Sequence, residues 1–198
     1  MSRLERPIRR FVLESAWLSQ EFRSAAKVPM DTNRLICEMV VVRLHDSWSR
    51  CCRELVIRSA CGRTNTLSGK WIDAAPSITG EGSVIPALLA TFKSKKSEPK
   101  WFDAAVCVDS AQRLKVQNLT SIAGGIGAVT SPAEHLRYVR NFYAHRGQYT
   151  AREASKHAPF VRAHGPDVFE LGQLNHPGLS HLDEWVMGLT DTLRAAAQ

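Results

Sequence analysis

The segment from Arg140 to His145 carries the residue types and spacing best suited to chemistry in this chain. Histidine exchanges protons near neutral pH, and the arginine fork stays charged and matches phosphoryl oxygens. Asn141 can orient either the imidazole or a phosphate oxygen. The set fits metal-free attack of a ribose 2′-hydroxyl on the adjacent phosphate, which needs a proton acceptor, a proton donor and positive charge. We therefore predict Arg140, Asn141 and His145 as the catalytic residues.

The spacing of this pair indicates that one copy of the chain is not sufficient. Arg140 and His145 are five residues apart, which on a straight helix is a rotation of about 140° and a rise of about 7.5 Å. They cannot meet side by side as an i,i+4 pair would, although they can flank a groove. One histidine is also few for two proton transfers, so we predict a homodimer with a composite active site.

A capping box positions these residues. The sequence Ser131-Pro132-Ala133-Glu134 places a serine before a proline and a glutamate, which is typical of a helix start. It predicts a helix from Pro132 to about His145, with Gly147 past its end, and a core stripe that comprises Leu136, Val139 and Tyr143. A second box at Thr150–Glu153 predicts a further helix that ends near Gly165.

The remaining sequence favours an all-α bundle. Apolar periodicity predicts helices over 4–27, 31–61, 106–119 and 180–196, while 123–128 is glycine-rich and predicts a turn. No strand alternation persists long enough to predict a sheet. We predict a single domain, 1–198, with one irregular insertion at about 63–104.

Charge is distributed unevenly. The chain has 26 basic against 19 acidic residues, a formal net charge of +7. Segment 137–162 carries six basic residues against Glu153 alone, whereas the charged residues of 163–198 are acidic except for Arg194. Such polarity suits a polyanionic partner, and a solvated basic face is the alternative. We expect Arg137, Arg146 and Arg152 to guide an RNA backbone.

Other classes of protein and site are disfavoured. The apolar runs are too short to cross a bilayer, and no signal peptide is recognised. The chain has neither a Cys-x2-Cys pair nor a His-x3-His pair, so the sequence disfavours a zinc site. We expect a cytoplasmic protein with reduced thiols, no metal, no cofactor and no membrane partner.

The motif from Arg140 to His145 resembles the Arg-x4-His motif of the HEPN domain (higher eukaryotes and prokaryotes nucleotide-binding), including the polar residue after the arginine. The stretch from His45 to Gly62 is similar to the long helix of prokaryotic HEPN-like nucleases. A tryptophan-containing insertion followed by the Ser131–Arg146 segment extends the likeness over about 30–165.

The resemblance implies a fold and a function. HEPN domains are all-α bundles, often dimeric, and many are metal-independent endoribonucleases of toxin–antitoxin, abortive-infection and CRISPR systems. It implies an RNA substrate, a defence or toxin–antitoxin setting, and an antitoxin or other regulatory protein as partner. In one subgroup a tyrosine two residues after the histidine is modified by a nucleotidyltransferase. Gly147 occupies that position here, and Tyr149 is displaced from it.

Alternative interpretations remain at this point. Arg140 could form a salt bridge with Asp46 or Glu54 on the long helix, and His145 could cap a helix end. The chain would then be a non-catalytic HEPN module that binds RNA or a nucleotide, or a dimeric scaffold. A DNA-binding regulator is a further class, although no helix-turn-helix spacing supports it.

Overall fold

The computed structural model describes residues 4–25, 30–92, 97–128, 131–157, 161–164, 168–171 and 180–198. Over these residues the fold is all-α, as predicted. Its helices are α1 Glu5–Ala25, α2 Met30–Cys61, α3 Glu81–Ala90, α4 Ala104–Arg113, α5 Leu119–Gly125, α6 Ser131–His145, α7 Gln148–His157 and α8 His181–Ala196. Its short strands are β1 Thr64–Asn65, β2 Trp71–Ile72, β3 Val161–His164 and β4 Val168–Leu171.

The chain divides into two compact units. Unit 1 comprises Met1–Phe11, Trp48–Thr130 and Thr190–Gln198, and unit 2 comprises Val12–Ser47 and Ser131–Leu189. Helices α1, α2 and α8 each contribute residues to both units. All the predicted catalytic residues belong to unit 2.

Unit 2 is built around buried faces of its helices. The predicted stripe of α6 is confirmed, because Leu136, Val139 and Tyr143 are buried, and Phe142 is buried with them. Buried side chains of α1, α2, α7 and α8 complete this core: Leu18, Val40, Val41, Leu44, Ala154, Leu182, Trp185 and Leu189. A Cβ at Gly188 would lie 2.9 Å from Pro132 Cγ, so α8 closely approaches the first turn of α6.

The prediction for the helix after α6 is wrong at both ends. Helix α7 begins at Gln148, so Thr150 is its third residue rather than its cap. The Thr150 hydroxyl instead accepts from the Gly147 amide at 3.1 Å and donates to the Gly147 carbonyl at 2.9 Å. The helix ends at His157, and residues 161–164 form β3, which pairs antiparallel with β4. Gly-Pro at 165–166 separates two short alternating segments in the sequence, a hairpin signal that the capping pattern obscured.

The turn out of α6 also differs from expectation. Arg146, rather than Gly147, adopts a positive φ of 35°. The Arg146 amide still donates to the Phe142 carbonyl at 2.7 Å, and the Ala151 amide donates to Gly147 at 2.9 Å. Arg146 alone therefore separates His145, the last residue of α6, from Gly147, whose carbonyl accepts the bond from the Ala151 amide of α7.

Unit 1 contains the insertion predicted at 63–104, which forms β1, β2 and α3. The predicted helix 106–119 is interrupted. Lys115 is left-handed at φ 56°, and the amides of Lys115 and Val116 bond to Gln112 and Ala111, which is a Schellman termination of α4. The chain then enters α5, which includes residues 123–125 of the glycine-rich stretch that was predicted to be a turn.

Gly125 explains why that glycine-rich stretch is partly helical. A Cβ there would lie 2.4 Å from the Ala196 amide nitrogen of α8. Glycine thus permits close packing of two helices of unit 1. No described helix combines the length and apolarity needed to cross a membrane.

Gly62, which directly follows α2, is predicted to be the most sensitive to alanine substitution among the glycines that the structure describes. It has φ +61°, and a Cβ would lie 2.0 Å from the Ala74 amide nitrogen. Gly62→Ala should lower the free energy of unfolding by more than the roughly 1–2 kcal/mol of left-handed strain alone, as measured by urea denaturation. Gly69→Ala is the matched control, since it has φ +87° but open space around it. Equal effects of the two substitutions would contradict the packing argument.

Candidate functional site

Helices α2 and α6 run antiparallel where they position the candidate residues. Arg146, just past the end of α6, forms an ion pair with Glu38 near the start of α2. Arg140 and Arg137, earlier in α6, act electrostatically on His45, which lies later in α2. All these residues belong to unit 2. The helix pair therefore places His45 of α2 within the electrostatic influence of Arg140 of α6.

Arg140 is half-buried and lacks an ionic partner. Its Nε atom is buried without a hydrogen-bond partner, and it forms no ion pair with any residue that the structure describes. Neither of the two acids considered as salt-bridge partners of Arg140 forms an ion pair with it. Asp46 lies 3.6 Å from His45 Nδ1, and Glu54 pairs with Arg10 and Arg58 in unit 1. A partly desolvated guanidinium without a carboxylate is an unusual placement that structural needs do not explain.

His45 is a buried neighbour of the candidate site that the sequence did not single out. Its side chain is buried, with the residue only 5% exposed. Burial lowers its pKa, the Arg140 charge lowers it further, and the Arg137 charge adds to this, while Asp46 opposes them. Burial and the two arginine charges therefore disfavour protonation of the His45 imidazole. The available signal was spacing, because His45 follows the buried Cys37 and Val41 at four-residue steps.

His145 and Asn141 lie on other faces of α6. His145 is exposed at the last position of the helix, and Asn141 is half-buried. Since α6 is helical through His145, Arg140 and His145 remain about 140° apart around its axis. The charge of Arg140 acts on His45, whereas His145 is exposed to solvent. Within one chain, the side chains of Arg140 and His145 therefore extend from different sides of α6.

The three arginines predicted to contact RNA differ in their engagement. Arg137 lies 3.7 Å from Glu134, and its guanidinium carbon is 4.7 Å from the centroid of the Tyr138 ring. Arg146 forms the ion pair with Glu38. Arg152 is exposed on α7. No acidic residue occurs between Glu134 and Glu153 in the sequence, so α6 and the start of α7 form a continuous basic segment.

Within the described part of the chain, no cluster of three or more histidine, cysteine or acidic side chains could hold a metal ion. No family model, curated protein or solved structure matches this chain.

The buried imidazole of His45 should make the stability depend on pH. The unfolded chain binds a proton at an ordinary histidine pKa of about 6.5, while in the folded chain burial and the charges of Arg140 and Arg137 lower the pKa of His45 against the opposing effect of Asp46. The free energy of unfolding should therefore fall as the pH drops below about 6.5, by up to about 1.4 kcal/mol for each unit by which folding lowers the pKa. Urea unfolding at a series of pH values measures this slope. The free energy of unfolding of His45→Gln should depend less on pH than that of the parent protein. Parallel pH dependences of the two proteins would contradict the assignment of the slope to His45.

Arg140 should be replaceable without loss of stability. Arg140→Met keeps much of the side-chain volume and removes a half-buried charge that has no ionic partner among the described residues, so the free energy of unfolding should stay equal or rise. Arg146→Met is the matched control on the neighbouring turn. It loses the Glu38 ion pair and should be destabilised by up to about 1 kcal/mol. Thermal or urea unfolding compares the two, and a clear destabilisation by Arg140→Met would show a structural role.

Proposed function

We propose that this chain is a metal-independent endoribonuclease of the HEPN type. The observation that carries the proposal is Arg140, a half-buried arginine with no ionic partner among the described residues, on the same helix as the exposed His145. A cation that is partly removed from water and has no carboxylate interacts strongly with an anion that reaches it. The acid-free basic segment around it makes an RNA phosphate the fitting anion.

The proposed reaction is attack of a ribose 2′-hydroxyl on the adjacent phosphorus. The P–O bond to the 2′-oxygen forms and the bond to the 5′-oxygen breaks, which leaves a 2′,3′-cyclic phosphate. His145 transfers a proton, the Arg140 fork stabilises the negative charge on the pentacovalent phosphorus, and Asn141 orients. The exposure of His145 supports this role, because a proton-transferring group must reach the substrate.

A composite site in a homodimer supplies what one chain lacks. The reaction removes a proton from the 2′-hydroxyl and delivers one to the leaving 5′-oxygen. Two copies of α6 across a two-fold axis would provide two exposed imidazoles and two guanidinium groups around one phosphate. The direction in which His145 leaves α6, away from Arg140, favours this arrangement over a site within one chain. A defence or toxin–antitoxin setting with a protein regulator follows from the HEPN resemblance.

The decisive assay is cleavage of single-stranded RNA in EDTA by the purified full-length protein. Arg140→Ala and His145→Ala should each reduce the cleavage rate by about 100-fold or more, with the circular dichroism spectrum unchanged. His135→Ala on the same helix and Arg43→Ala on α2 are matched controls that should retain activity. The product ends should carry a 2′,3′-cyclic phosphate.

Three outcomes would contradict the nuclease. Cleavage that requires an added metal ion would exclude the proposed mechanism. Binding of RNA without cleavage would favour the non-catalytic module, and tight binding of duplex DNA without cleavage would favour a regulator of transcription.

A further inference from the structure

Tyr149 on α7 is exposed in a way that packing does not explain. It is 74% exposed, the largest fraction among the large hydrophobic side chains that the structure describes. Phe142 and Tyr143, the neighbouring aromatic residues of α6, are both buried in the core. The aromatic ring of Tyr149 is thus presented to solvent immediately after the candidate catalytic helix.

The backbone that carries Tyr149 is firmly held. The Thr150 hydroxyl bonds to both the amide and the carbonyl of Gly147, and the Ala151 amide bonds to the same carbonyl. Tyr149 lies within this hydrogen-bonded turn, four residues after His145. Its Cα position relative to the end of α6 is therefore fixed rather than left to a flexible loop.

Basic side chains share the exposed face of α7 with Tyr149. Arg152 and Lys156 follow it at three and seven residues, which on a helix places all three on one face, and all three are exposed. Ala154 is buried on the opposite side. Glu153, the single acid of α7, is half-buried and follows Tyr149 by four residues, so it lies on the same side of the helix. The face thus combines one aromatic ring with two exposed cations and one half-buried carboxylate, and its net charge is positive.

We propose that Tyr149 stacks on an unpaired nucleobase, while Arg152 and Lys156 contact the flanking phosphates of the same strand. An exposed aromatic ring within a basic stripe is the combination that binds single-stranded nucleic acid. Stacking needs a base that is not paired and stacked within a duplex, so this face selects single-stranded or loop RNA. The inference rests on the proposed function in that the bound strand is the RNA presented to His145.

Charge argues against a second copy of this chain as the occupant. Two such faces in contact would bring together four cations, Arg152 and Lys156 of each copy, and two half-buried carboxylates, so two surfaces of net positive charge would repel each other. A polyanionic strand is attracted to the same residues. The face is therefore assigned to nucleic acid.

The test measures binding of a fluorescently labelled 2′-O-methyl RNA, which cannot undergo 2′-hydroxyl attack, to the full-length protein by anisotropy. Tyr149→Ala should weaken binding by about tenfold or more, whereas Tyr149→Phe, which keeps the ring, should stay within about twofold. Trp71→Ala, at a tryptophan of unit 1 that is 53% exposed, is the matched control and should leave the affinity unchanged. A duplex of the same sequence should bind the parent and Tyr149→Ala alike.

Salt dependence separates stacking from charge. Tyr149→Ala should keep the slope of log affinity against log salt, and Arg152→Ala should reduce its magnitude by about 0.7. Unchanged single-strand affinity of Tyr149→Ala, or a loss in Tyr149→Phe as large as that in Tyr149→Ala, would overturn the proposal. If Tyr149→Ala changes the oligomeric state measured by light scattering but keeps its RNA affinity, the proposal is overturned, and Tyr149 instead lies in a contact between copies of the chain.

The uncleavable probe keeps this inference distinct from the nuclease. If the protein cleaves no RNA but binds it through Tyr149, the catalytic proposal fails and the stacking site stands. If the protein cleaves RNA and Tyr149→Ala binds normally, the stacking site fails and the catalytic proposal stands.

Discussion

The electrostatic influence of Arg140 of α6 on the buried His45 of α2 is the interaction on which the rest of the site depends. Burial lowers the pKa of the His45 imidazole, and the Arg140 charge lowers it further, so the imidazole does not compete with Arg140 for an anion as a second cation. No described carboxylate pairs with Arg140. The helix pair thus holds a positive charge in place without neutralising it, which is the condition for binding an anion from outside.

This arrangement assigns different tasks to the faces of α6. One face is buried and carries Leu136, Val139 and Tyr143. Arg140 lies at its edge against α2, and His145 emerges from the other side at the end of the helix. The separation explains why the proposed chemistry requires two subunits. It also places Tyr149 immediately beyond the exposed imidazole, on a turn fixed by Thr150.

Local signals predicted α6 well and the connections poorly. The box at Ser131–Glu134 and the apolar stripe of α6 do not depend on distant residues, so the extent and core face of this helix could be predicted. At Thr150 the same kind of pattern was misleading, because the hydroxyl bonds back to Gly147 within a helix that has already begun. The end of α4 at a left-handed Lys115 could not be predicted, because the sequence has no glycine there to indicate a helix end. His45 was missed because its significance depends on which helix packs against α2.

The most direct measurement uses His45 to report on Arg140. The pKa of His45 is followed by NMR with and without a bound 2′-O-methyl RNA strand. If a phosphate reaches Arg140, its negative charge offsets the guanidinium, and the pKa of His45 should rise on binding in the parent protein. Arg140→Met, which lacks the guanidinium, should have a higher pKa without RNA and a smaller rise with it. A pKa of His45 that stays the same while RNA is bound would contradict the claim that Arg140 is held for an RNA phosphate.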